Sequence, residues 1–589
     1  MVKMNSTNDN IPTPKELEKE LNDYLSKKYG KQFKLGVTST PPLQPDARKF
    51  NEETGEEKKS SFSRIDFDIK PEELEAYLDQ YIIKQRRAKE ILATKICTHF
   101  NRVKLHQNSK RFTDYNQLGS IKNNIIMIGP TGVGKTYLIK LIAKKIGAPF
   151  VKGDATKFSE TGYVGGDVED LVRDLVTEAN GDIELAQYGI IYLDEIDKIA
   201  SSHNLIGPDV SRTGVQRALL KPMEETEVEL KVPHDIISQM EALEHYRKTG
   251  KKEKQKVNTK NILFIMSGAF NGFEEIIKKR LNRQSIGFGA EIHSRNGNEN
   301  LLPYVKAEDF INYGFESEFI GRLPVVAVFE KLDASDLNKI LQNINDPIIL
   351  GKKKDFKAYG IDVKFEAEAL KKIAENAYQE KTGARGLVST IERALLPFEK
   401  KLPSTSIKHL VVTPEMVDSP ECELERILNG ESTKEQDEKF KHLTTIEAQR
   451  LKESIYERKT EFLNQYGVLL DEEIIDLITY WVMEEGISVS AAYEEAIRIR
   501  QKVKTFEHHF FETHGLEITF ANDALNGIIQ KSIRENKSPW DICKNTVKNY
   551  ELGLKLIKEK TGKNSFTVCR EALADPEEYL NRLIKKSYE

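Results

Sequence analysis

Residues 129–136 read Gly129-Pro130-Thr131-Gly132-Val133-Gly134-Lys135-Thr136. The apolar run "NNIIMI" precedes them, and "YLIKLIAKKI" follows with apolar residues at helical spacing. A β-branched run, a glycine-rich octet and an amphipathic stretch imply a strand, a tight loop and a helix in that order. In that context the glycines let successive backbone N–H groups face one concavity. The helix N-terminus adds positive potential there. Such a loop is built to cradle phosphates. Lys135 is placed to reach the β and γ phosphates, and Thr136 to put its hydroxyl on Mg²⁺. A chance glycine loop would lack the flanking strand and helix.

Two further runs repeat the strand signal. "GIIYLDEID" and "KNILFIMSG" are short, β-branched and apolar, and end at Asp or Ser-Gly. Helical stretches separate them. Apolar strands alternating with helices predict an α/β fold with a parallel sheet covered on both faces. Ligands in such sheets sit at the carboxyl ends of the strands. The second run delivers Asp194 and Glu195 to that edge. Asp194 is the candidate for the Mg²⁺ shell, and Glu195 for polarising an attacking water. Glu195 is not needed to bind nucleotide, so the pair implies hydrolysis.

Composition narrows the class. The chain has 589 residues, 31% charged and 39% apolar, with a formal net charge of −4. That length suggests about three or four domains, and that charge gives no overall signal for nucleic acid. No apolar run approaches the roughly 18 residues of a membrane span. The N-terminus shows neither a signal-peptide core nor a transit-peptide face. The four cysteines are far apart and form no CxxC pair. A reducing, cytoplasmic setting without structural zinc is the simplest expectation. His508-His509 lacks a third ligand at metal-binding spacing.

Along the chain, residues 14–29 read as a short charged helix and 36–62 as a linker. Residues 71–103 carry a helix signal, and the basic stretch 240–258 reads as a solvated insertion. After about 419 the chain is mostly amphipathic helix. There "GLEITFANDALNGIIQKSIRENKSPWDI" (515–542) repeats the pattern of "GIDVKFEAEALKKIAENAYQEKTGARGL" (360–387). Either the tail holds a degenerate repeat, or two striped helices look alike by chance.

Taken in order, "YLDQYIIKQ", "GPTGVGKT", "DATKFSETGYVGGDVEDLV", "IIYLDEIDKIA", "GVQRALLKPMEET", "IGFGA", "FIGRLPVV" and "KTGARGL" make residues ~65–418 resemble an AAA+ ATPase of the ClpX type. The resemblance implies an N-terminal segment (1–62), a large P-loop domain (63–334), a small α-rich lid (335–418) and a helical extension (419–589). It implies ATP and Mg²⁺ as cofactors and a homohexameric ring. Ile82 and Ile83 would pack on the adenine, and Ser267 would be the sensor-1 residue. Arg322 would reach the nucleotide of a neighbouring subunit as an arginine finger, and Arg385 would contact it from the lid. Tyr163 and Val164 would grip an extended polypeptide in the central pore.

The resemblance further implies an unfoldase that feeds unfolded or tagged proteins to the ClpP peptidase, with no nucleic-acid or membrane partner. A peptidase-independent remodelling chaperone is the alternative. Ile286-Gly287-Phe288 separates the two. This apolar tip between glycines, in an otherwise polar stretch, is what a docking anchor into a peptidase pocket requires. Three departures stand out. Residues 1–62 hold no cysteine, so the family's N-terminal zinc domain is missing. The family's basic pore-entrance loop is not visible. The extension has no counterpart in ordinary ClpX. Lys84 also stands where the family usually has glycine, and Trp540 stands where the repeat would place Arg385.

Overall fold

The computed structural model describes residues 65, 68–108, 122–159, 166–200, 210–230, 256–284, 301–430, 433–459, 471–548 and 550–588. Its strands begin with β1 (Ile125–Ile128), β2 (Phe150–Asp154), β3 (Ile190–Asp194), β4 (Glu227–Glu229), β5 (Lys256–Asn258), β6 (Leu263–Gly268) and β7 (Val325–Val328). Five of them form one parallel sheet in the order β2-β3-β6-β1-β7. Every residue of β1 and β6 is buried. Both faces of a parallel sheet are covered, which is why these strands are continuous apolar runs. β4 and β5 pair antiparallel.

The stretch that reads as one helix from residue 71 is broken. Helix α1 (Pro71–Asp79) stops, and α2 (Arg86–Asn108) starts anew. Between them Lys84 and Gln85 both take left-handed backbone angles, φ 63° and 56°. Two such residues in succession end any right-handed helix. Helix α3 (Lys135–Ile146) opens directly from the glycine loop and closes on Gly147, whose N–H bonds Ala143 O.

A smaller unit follows: α4 (Ala334–Gln342), α5 (Pro347–Lys357), β8 (Asp362–Phe365), α6 (Ala367–Gln379), α7 (Arg385–Lys401), β9 (His409–Val412), a short helix Pro414–Asp418 and α8 (Pro420–Leu428). β8 and β9 pair in parallel. Helix α8 lies at the start of the expected extension (419–589), yet its Leu424 and Ile427 belong to the same buried core as this unit and the large sheet.

Next come α9 (Thr433–Glu457), α10 (Glu472–Glu485) and α11 (Val489–His514). Helix α9 lies on the β8–β9 pair. Gln436 Oε1 accepts from Val411 N at 2.9 Å, and Phe440 stacks on His409 at 4.4 Å. Glu447 of α9 takes both Lys353 and Lys364, the latter at 2.5 Å. Leu451 and Ile455 of α9 share a core with Ile475 and Ile478 of α10 and Tyr493 of α11, and Ile344 packs against it.

The chain ends in β10 (Glu517–Phe520), α12 (Asn522–Glu535), α13 (Pro539–Thr546), α14 (Tyr550–Thr561), β11 (Ser565–Val568), a short helix Glu571–Ala574 and α15 (Pro576–Tyr588). β10 and β11 also pair in parallel, over their own core. The order strand, helices, strand, short helix, helix is that of the β8–β9 unit. Trp540, in the first turn of α13, packs edge-on against Phe506 at 5.0 Å and beside His509 at 5.3 Å.

Glu447 gives the extension a measurable hold on the unit beneath it. Burial alone would raise its carboxyl pKa, but Lys353 and Lys364 hold it below the usual carboxylate range. Its folded value is thus below the unfolded one. The stability it contributes is complete above the unfolded pKa of about 4.3 and is lost as pH falls through the folded value. Glu447→Ala leaves two largely buried ammonium groups without their carboxylate. It should lower stability at neutral pH by about 2 kcal/mol in urea unfolding. A change below about 0.5 kcal/mol would mean that α9 merely rests on the sheet.

Candidate functional site

The site forms where β1, β3 and β6 end side by side. Gly134, at φ 92°, caps α3 and turns the chain out of the loop. Lys135 is buried and donates to Gly129 O at 2.5 Å and Pro130 O at 2.9 Å. Burial pushes its ammonium pKa down to about 8, while Asp194 and Asp197 pull it up and Arg385 adds to the depression. Lys135 therefore remains cationic at neutral pH.

Thr136 Oγ1 lies 3.0 Å from Tyr192 Oη and 3.5 Å from Asp194 Oδ2. Asp194 Oδ1 accepts from Ser267 Oγ at 3.2 Å and from the Glu195 amide at 3.1 Å. Lys152 Nζ lies 3.0 Å from Asp194 Oδ2. Burial favours the neutral acid at Asp194, but Lys152, the Glu195 amide and Ser267 outweigh it and keep the carboxyl below its ordinary range. Tyr192 goes the other way. Burial pushes its phenol up to about 12 against the hydrogen bonds from Ser267 and Thr136. Glu195 stands one residue past the strand at φ 57°, with its side chain exposed. A hydroxyl and an ionised carboxylate facing each other form a hard-oxygen donor pair that suits Mg²⁺.

The loop after α6 lies backbone to backbone on the glycine loop. Ala384 N donates to Gly132 O at 2.8 Å. A Cβ on Gly132 would fall 2.1 Å from Thr382 O, and one on Gly383 would fall 2.7 Å from Gly132 O. Both positions thus require glycine. Arg385 comes next, as the first residue of α7, and its charge is felt at Lys135 and Tyr192. On the other side Ile82 is buried, with its Cδ1 3.8 Å from where a Cβ on Gly134 would stand. Ile83, beside it, is half-buried.

A family model described as AAA domain (Cdc48 subfamily) matches residues 121–326. A second, described as C-terminal, D2-small domain, of ClpB protein, matches residues 332–402. The ATP-dependent Clp protease ATP-binding subunit ClpX of Borrelia duttonii (strain Ly) is 41% identical over 350 residues, which cover 59% of this chain and 78% of that protein. The protein of the same description from Treponema denticola is 38% identical over 352 residues, 59% of this chain and 81% of its own length. This chain belongs to the ClpX family. It is an AAA+ ATPase of the Clp chaperone class, and its parallel sheet with flanking helices is the α/β fold of that class.

Two further features shape this site. Lys84 donates to Lys331 O at 2.9 Å and Asp336 Oδ2 at 2.8 Å. Beside it, the Gln85 side chain bonds Glu330 N and O. The segment that carries Ile82 and Ile83 is thereby tied to the chain running from β7 into α4. The second feature is Lys152, which the sequence reading did not single out. It was hidden because its proximity to Asp194 depends on the β2–β3 register. Tyr192 was also missed, although it lies two strand positions before Asp194 and so shares its face.

Arg322 follows the short helix Ser317–Gly321 and pairs with Glu224 of the same chain at 2.5 Å. Both side chains are about half exposed, and among the described residues no ion pair or hydrogen bond joins Arg322 to the glycine loop. Tyr163, Val164, Ile286, Gly287 and Phe288 lie outside the described residues. Among the described residues no helix is long and apolar enough to cross a membrane.

The left-handed Lys84 yields a paired test. Lys84→Ala keeps the backbone strain and loses the ion pair, and should cost about 1 kcal/mol in urea unfolding. Lys84→Gly relieves the strain and should return to within about 0.5 kcal/mol of the parent. If glycine were no better than alanine, position 84 would carry no strain.

Proposed function

We propose that this chain uses ATP hydrolysis to unfold proteins and thread them into a ClpP-type peptidase. The observation that carries the reading is the junction of Lys135, Thr136, Asp194 and Ser267 at one sheet edge. That junction unites phosphate binding with the donor set for a divalent ion. The names of the relatives, ATP-binding subunits of a Clp protease, support the link to a peptidase.

In this reading the glycine loop 129–134 and Lys135 hold the triphosphate. Thr136 and Asp194 hold Mg²⁺, which when bound neutralises phosphate charge. Glu195 orients and deprotonates the attacking water, and Ser267 fixes Asp194. Ile82 and Ile83 seat the base. Arg385 reports nucleotide state to the lid, so the angle between the large domain (63–334) and small domain (335–418) follows the cycle. Arg322 leaves Glu224 to serve the next subunit, which requires a ring; we take that ring to be a homohexamer in the cytoplasm. Tyr163 and Val164 pull the substrate, and Ile286, Gly287 and Phe288 dock the peptidase. Residues 489–588 are a degenerate second lid module within the extension 419–589. They have lost any nucleotide role, because Trp540 is spent on packing.

Glu195→Gln should bind ATP with affinity close to the parent's while turnover drops about 100-fold or more. Turnover close to the parent's would remove Glu195 from the chemistry. The link to the peptidase is tested by ATP-dependent pull-down with ClpP from the same organism. The parent should capture ClpP, and the Ile286→Ala/Phe288→Ala double variant should lose it while keeping ATPase activity. Equal capture by both would move peptidase docking away from residues 286–288, and capture by neither would favour the peptidase-independent remodelling chaperone.

A further inference from the structure

Lys152 is half-exposed on β2, directly across the parallel ladder from Tyr192 on β3. Residues opposed in register present their side chains to the same face. Lys152 Nζ accordingly lies 5.9 Å from the Tyr192 ring centre and 3.0 Å from Asp194 Oδ2. The two oxygens of Asp194 are not equivalent. Oδ1 is engaged by Ser267 and the Glu195 amide. Oδ2 is the oxygen that faces Thr136 Oγ1. A metal held between Thr136 and Asp194 therefore uses the oxygen on which the lysine ammonium sits. One carboxylate oxygen in a half-buried site cannot serve an ammonium and a divalent cation at close range without repulsion between the two.

We propose that Lys152 is a built-in counter-ion of Asp194 that competes with Mg²⁺, and so sets the magnesium concentration at which this ATPase takes up its metal–nucleotide complex. The proposal rests on the reading of Asp194 as a metal ligand. It makes Lys152 a positioning residue that acts through Asp194. Its long, flexible stem lets the ammonium swing aside without moving β2.

The test uses the full chain and a fluorescent ATP analogue, with binding followed by anisotropy while Mg²⁺ is titrated. Lys152→Met removes the charge and keeps the stem. It should lower the Mg²⁺ midpoint about fivefold, the equivalent of an ion pair of about 1 kcal/mol. Lys152→Arg should stay with the parent. A Lys152→Met midpoint within about 1.5-fold of the parent's, alongside a shifted Asp194→Asn midpoint, would overturn the proposal alone and leave Lys152 an ordinary surface ion pair. An unchanged midpoint in Asp194→Asn would overturn the metal-ligand reading and the proposal with it. Thermal melts in EDTA check the fold, and Lys152→Gln replaces the Met variant if that one misfolds.

Discussion

The Asp194 carboxylate is the point on which the rest of the site turns. A charge at the end of an otherwise buried strand is costly unless donors and cations surround it. Here they come from three neighbouring strands: Lys152 from β2, the Glu195 amide at the end of β3, and Ser267 from β6. The fourth group facing it, Thr136, comes from the helix that follows β1. Only the order β2-β3-β6-β1 brings these elements into one row. Sheet topology and site chemistry are therefore the same fact seen at two scales.

The lid extends that dependence. Its approach is made by backbone on backbone, Ala384 N to Gly132 O, through two glycines that tolerate no Cβ. A contact of this kind carries little chemical specificity but is sensitive to position. The Ala384–Gly132 bond joins the glycine loop to the N-terminus of α7, where Arg385 begins the helix. The segment 80–85 provides a second tie, with Lys84 on Asp336, Gln85 on Glu330, and Asn343 on Gln80 O at 2.8 Å. Large and small units are thus joined on both flanks of the same cleft.

Much of this was legible in the sequence for a physical reason. Buried parallel strands must be apolar runs, and phosphate loops must be glycine-rich, so β1, β3, β6 and residues 129–136 announce themselves. What stayed hidden depends on contacts between residues far apart in the chain. Lys152 looks like any strand lysine until β2 is laid beside β3. The break at 80–85 was unreadable because its left-handed residues are Lys and Gln rather than glycine. Their strain is offset by partners at positions 330, 331 and 336, which local periodicity does not see. The strands β10 and β11 have four residues each, too short to stand out among amphipathic helices, though the Gly and Phe spacing around 515–520 did mark the first of them.

The extension poses an energetic question of its own. A pendant module would meet its host through a small, polar surface. Here α9 instead covers the β8–β9 pair, caps a sheet-edge amide with Gln436 and places Glu447 between two lysines of the small unit. Further on, Ser490 at the start of α11 lies 3.2 Å from Tyr81, the residue before Ile82. The extension therefore touches both units that border the nucleotide cleft. Any change in the angle between them must either carry α9 to α11 along or break these contacts. Through these contacts the extension is tied to the large unit at Tyr81 and to the small unit at Lys353, Lys364 and Val411.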